Sequence, residues 1–318
     1  MPRYRSILLC ITALGCGGSA GDADVIVDPP SSRIASVIIA PGPLSLVPGA
    51  TGQLDATARD ARGGLVPGAA ITWTTSASDV ATVSAGGLVT AVDGGTATIT
   101  ATAGGFAASV TANVEYVYDV TTRGVPKIVV ANYIDPAVIA RVSRFRSGIG
   151  HDYSDVLERC RSMKHYFMPF ASVDWATVTI SSPIAGTITD AMTETTFGTQ
   201  LRIASAANPA FTVILFHVKP DAGIGAGTAV TAGQRLGTHI GSQTMSDIAI
   251  RVRAKEGTRY VSYFDAMTDA VFQPYVARGM TSRSAASITA AERDGNPLSC
   301  DGEAFLSTGT LENWFVFP

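Results

Sequence analysis

The chain has 318 residues, 46% of them hydrophobic and 15% charged. That is longer than one ordinary domain needs and too apolar for a chain disordered along its whole length. Lys and Arg number 23 against 26 Asp and Glu, a net charge of -3. With no long basic run, nucleic acid is excluded as a partner on electrostatic grounds.

Taken in order, Arg3 and Arg5 precede an apolar run over residues 7–14, and Gly15, Cys16, Gly17, Gly18 and Ser19 follow. A basic flank, a short apolar core and small residues predict a secretory signal over 1–16. No other stretch reaches the roughly 18 apolar residues of a membrane-crossing helix, which leaves a lipid anchor as the expected membrane contact. Ala13-Leu14-Gly15-Cys16 resembles the bacterial lipobox, although Leu14 stands two positions before the cysteine where that pattern has it at three. The resemblance implies lipidation at Cys16; ordinary cleavage nearby is the alternative. Residues 17–33 are mostly Gly, Ser, Ala, Asp and Pro and predict a flexible tether. The expected location is the cell envelope. Export to an oxidising compartment favours a disulfide between Cys160 and Cys300, the alternative being Cys160 as a thiolate ligand or nucleophile.

Residues 34–115 are rich in Thr, Ala, Val and Gly and alternate in polarity at Ile71-Thr-Trp-Thr and Ala97-Thr-Ile-Thr-Ala-Thr. Period-2 alternation with Pro-Gly and Gly-Gly turn signals between the runs predicts short strands in a β-sandwich, with Trp73 at its centre. Ile71-Thr-Trp-Thr-Thr-Ser, Asp79-Val-Ala-Thr-Val, Gly87-Leu-Val-Thr-Ala-Val and Gly95-Thr-Ala-Thr-Ile-Thr-Ala resemble group 2 bacterial immunoglobulin-like domains. The resemblance implies a spacer, with ligand binding as the other reading.

Residues 125–318 hold all four histidines, His151, His165, His217 and His239. Any reactive centre is therefore sought there. Strands are expected over 127–131, 176–180, 198–203, 211–218 and 247–252, with short helices over 155–164 and 263–276. Ser182-Pro-Ile-Ala-Gly-Thr-Ile, Gly198-Thr-Gln-Leu-Arg-Ile, Phe211-Thr-Val-Ile-Leu-Phe-His-Val and Val230-Thr-Ala-Gly-Gln-Arg-Leu-Gly resemble the duplicated hybrid motif of lysostaphin-type peptidoglycan endopeptidases and lipoyl-like carriers. A carrier needs a lysine at a hairpin tip, and the one lysine in that stretch, Lys219, directly follows a strand run. The fold class expected is thus mainly β: an immunoglobulin-like sandwich, then a β-rich duplicated-hybrid-motif domain with short helices.

The peptidase resemblance implies zinc held by an H-x-x-x-D motif and the second His of a later H-x-H, with one position open for water. His151 and Asp155 match the first motif and become candidate ligands, and His217 matches the family's isolated histidine that stabilises the transition state. The H-x-H is missing. Asp247 stands at its first position and Ala249, which has no donor, at its second. A third ligand would have to come from Asp247, His239 or His165. The segment 156–174 is an insertion that rebuilds or covers the centre. His151 as a loop cap, His217, His165 and His239 as satisfied structural histidines, and Asp247 as a turn acceptor are the ordinary alternatives.

Two functions follow as expectations. In the first, a degenerate lysostaphin-like domain, with His217 and Asp247 as its candidate catalytic residues, binds a glycan or peptide of the wall or surface without hydrolysing it. In the second, a rebuilt third ligand makes an active zinc-dependent peptidoglycan endopeptidase. A purely structural adhesin is the third class.

Overall fold

A computed structural model describes residues 33–318. The expected signal, the tether up to residue 32 and the expected lipidation site Cys16 lie outside the described residues. Among the described residues no helix is long and apolar enough to cross a membrane.

Residues 36–114 fold as short strands in three small sheets. One joins Leu44–Leu46, Phe106–Val114, Gly95–Ala103 and Thr72–Thr75; a second joins Thr51–Gln53, Leu88–Ala91 and Ala81–Val83; the third pairs Ser36–Ala40 with Asp55–Arg59. Alternation puts Ala97, Ile99 and Ala101 inward while the threonines between them face outward. The core centre is Leu54 with Ile99, both fully buried, and not the expected Trp73, which is half-buried between the two apolar clusters of this region. An indole is too large to be covered completely by strands this short. Its ring does shape the neighbouring turn: a Cβ on Gly87, at φ 81°, would lie 2.2 Å from the Leu54 carbonyl and 3.0 Å from Trp73.

Beyond residue 118 one apolar core is built on an 11-stranded sheet. Its spine runs Ala229–Val230, Gly186–Glu194, Gly198–Ser205, Phe211–Pro220, Ser246–Ala254, His165–Pro169, Ile139–Ser143 and Trp314–Val316. The strands expected near 198–203, 211–218 and 247–252 are present. The run 127–131 forms only an isolated bridge, Val129 with Met267. The expected helix over 155–164 is absent, and the positive φ of Cys160 (54°) interrupts any helical path there. Of 263–276 only Asp269–Val276 is helical. The C-terminal stretch adds the helix Ala290–Gly295, closed by a Thr289/Glu292 capping box, and returns the last strand to the sheet edge. Cys160 and Cys300 form a disulfide, S–S 2.03 Å, which ties the insertion to that C-terminal stretch.

Candidate functional site

Strand alternation separates two faces of the large sheet. Val213, Leu215, Ile248 and Ile250 point into the main core, whereas Ile214, Phe216 and Ala249 form a small cluster on the opposite face. The pairing of Tyr166 with Asp247, and of His165 with Ile248, extends this rule to the next strand. Lys164 and Tyr166 therefore fall on the second face with Asp247, and His165 and Phe167 on the core face. Tyr153, from the loop after Gly150, covers the second face by packing edge-on to Phe216, centroids 5.8 Å apart, and against Tyr260 at 4.8 Å.

Under that cover lies a buried charge cluster. The Lys164 side chain is 2% exposed and that of Asp247 0%, and their Nζ and Oδ2 are 2.5 Å apart. The ammonium also sits 4.0 Å from the Phe216 ring centre, 4.7 Å from Tyr153 and 5.0 Å from Tyr166, an aromatic surround that suits a desolvated cation. Burial disfavours charge on Lys164, yet the adjoining Asp247 carboxylate outweighs it and holds the amine above its usual pKa. Burial likewise disfavours the Asp247 carboxylate, but Lys164 and then His217 hold it below the usual carboxylate range.

His217 is the member nearest solvent and has a positive φ of 60°. Its Nδ1 lies 2.8 Å from the Phe197 carbonyl oxygen and its Nε2 3.1 Å from Asp247 Oδ1. Both partners are acceptors, an arrangement that favours the protonated ring. Its pKa is raised accordingly: burial pulls it down, and Asp247 more than offsets that.

His151, Asp155 and His165 have separate partners, whereas His239 lies beside His217, ring centroids 6.3 Å apart, with its Nε2 unpaired. The His151 side chain is 41% exposed, with Nδ1 3.0 Å from the Asp152 carbonyl and 3.8 Å from Glu303. Asp155 is buried and fully engaged: Oδ1 accepts from the amides of Leu157 and Glu158, and Oδ2 from Arg259 at 2.9 Å and the Tyr260 amide. His165 sits in the core between the Ser143 carbonyl and the Ser262 hydroxyl, and burial pushes its pKa down to about 4. His239 stacks on Trp175 at 4.5 Å and accepts from the Gly241 amide; burial lowers its pKa to about 4 as well.

The structure thus joins His217 with Asp247 and gives the expected ligands His151 and Asp155 unrelated roles as a loop side chain and an arginine partner. Among the described residues no three His, Cys, Asp or Glu side chains come together to hold a metal. The donor chemistry does not fit zinc either, since an ammonium abuts Asp247 and Ala249 is apolar. The H-x-x-x-D interval spans a loop, in which His151 and Asp155 have different neighbours. Sequence reading missed Lys164, Tyr153 and Tyr166. The available signal was a lone lysine inside Met163-Lys-His-Tyr-Phe, a run whose neighbours are all suited to burial.

Residues 33–114 match the family model of the bacterial Ig-like domain (group 2). Among solved structures, domains 4 and 5 of the S-layer protein SbsC are 24% identical at a TM-score of 0.24, covering 26% of this chain and 52% of that one. A putative glycyl-glycine endopeptidase LytM from Ruminococcus gnavus is 14% identical at 0.27, covering 32% and 44%. Lysostaphin is 16% identical at 0.25, covering 35% and 44%. The chain therefore spans about half the length of these relatives or less. No curated protein matches it.

Proposed function

We propose that this chain is an exported envelope protein, held to the membrane through a lipid on Cys16, in which residues 34–115 space a lysostaphin-like domain, residues 125–318, away from the surface. That domain binds a glycan or peptide of the wall or surface and does not hydrolyse it. The observation that carries this reading is that His217 Nε2 faces, at 3.1 Å, a carboxylate already paired with Lys164, while its Nδ1 lies 2.8 Å from the Phe197 carbonyl oxygen. General-base or metal-ligand chemistry at this residue would first require the cluster to come apart. The zinc-hydrolase alternative gains no comparable support: among the described residues no three His, Cys, Asp or Glu side chains come together.

The test is sedimentation of the full mature chain with purified peptidoglycan sacculi, scored for bound protein and for newly released amino groups, with and without added zinc. Binding with no amine release is the expected result. Amine release that His217→Ala abolishes would establish the hydrolase. For the anchor, Cys16→Ala should move the protein from the membrane to the soluble fraction of the producing cell.

A further inference from the structure

A lysine removed from water is costly unless it is paired and does something that a neutral side chain does not. Lys164 has one carboxylate at 2.5 Å, three aromatic rings around it and almost no contact with solvent. Asp247, its partner, is wholly buried and also bridges to His217. The three residues come from the insertion and from two neighbouring strands, so the ammonium is the positive charge about which separate parts of the chain are arranged. A divalent ion could reach Asp247 only by displacing or closely approaching a cation already in place, and at such separations like charges repel strongly.

We infer that Lys164 is a positioning residue that supplies, as an internal ammonium, the positive charge a metal ion would bring to this site. Through Asp247 it fixes the orientation of His217, and it excludes divalent cations. The centre is thereby complete when the chain folds and owes nothing to metal supply. The inference stands on the same cluster as the binding reading but does not depend on what the domain binds, and the two fail separately: one by sacculus sedimentation, the other by the measurements below.

The experiment uses the full chain and compares wild type with Lys164→Met, Lys164→Ala and the double variant Lys164→Met/Asp247→Asn. Thermal midpoints are read in chelator and in zinc chloride, and zinc affinity by titration calorimetry. The wild-type midpoint should differ by no more than about 1 °C between chelator and zinc, because a ligand that does not bind the native state cannot stabilise it. Lys164→Met should lower the midpoint, and Asp247→Asn in the same chain should restore at least half of that loss, a coupling that packing alone would not give. Lys164→Ala should bind zinc at least about tenfold more tightly than wild type and be stabilised by it. Wild type that melts early in chelator, or binds zinc as well as Lys164→Ala, overturns the inference. So does a double variant no more stable than the single one. If Lys164→Met fails to fold while the double variant folds, the charge role is upheld; if neither folds, the wild-type chelator and zinc measurements decide.

Discussion

The two regions of this protein are held together by different means. Residues 36–114 bury small aliphatic side chains, with Asp60 the single buried charged group there, and contain no histidine or cysteine. Residues beyond 118 bury Asp155, Arg161, Lys164, His165, His239, Asp247 and Arg293 and are crossed by a disulfide. In the first region stability follows from pattern, because strand alternation alone decides what is covered. In the second it depends on groups far apart in sequence meeting with the right partner, which makes it sensitive to redox state and acid where the first is indifferent.

The largest break in that symmetry should come from the disulfide. Its cysteines are 140 residues apart, so Cys160→Ser/Cys300→Ser should cost the second region about 4 to 5 kcal/mol in the chain-entropy account, with the first region unchanged. Hydrogen exchange read by mass spectrometry, peptide by peptide, separates the two; equal loss of protection in both would make them one cooperative unit. The converse break is Leu54→Ala. Leu54 is fully buried in the first region, and its truncation should cost about 3 kcal/mol there, without altering exchange beyond residue 118.

Acid should sharpen the contrast by a smaller margin. Burial puts the pKa of His165 at about 4, below the usual 6.5, so the folded state keeps it neutral while the unfolded state takes up a proton. A depressed histidine pKa contributes stability that is whole above about pH 6.5 and is lost as the pH falls toward 4. The full effect for His165 is roughly 3 kcal/mol, and only part of it is reached at an intermediate pH. Urea midpoints at pH 7 and pH 5 should fall for the second region and less so in His165→Gln. A wild-type midpoint as high at pH 5 as at pH 7 would contradict the neutral assignment.

Much of the architecture is legible in the residues themselves. The Thr/Ala/Val alternation and Gly-Gly turns of 34–115 specify short strands, because side-chain direction reverses at every residue and only one register buries the apolar set. The strands at Gly198–Ser205, Phe211–Pro220 and Ser246–Ala254 follow from the same pattern. The pairing of His217 with Asp247 is half legible, since each residue draws notice but the contact joins two strands. His151 and Asp155 draw notice as a motif in sequence, and only the fold shows their neighbours, Glu303 and Arg259.

The sequence by itself determined the β character, the two textures of the chain, the export signature expected at its start and the two cysteines available for a bridge. Only the tertiary structure decided that Cys160 meets Cys300, that Asp155 belongs to Arg259, and that Lys164 stands beside Asp247. The physical reason lies in range. Alternation, turns and capping act over a few residues and can be read locally. The state of a buried charge depends on which opposite charge the folded chain brings within a few ångströms, and no local pattern encodes that partner.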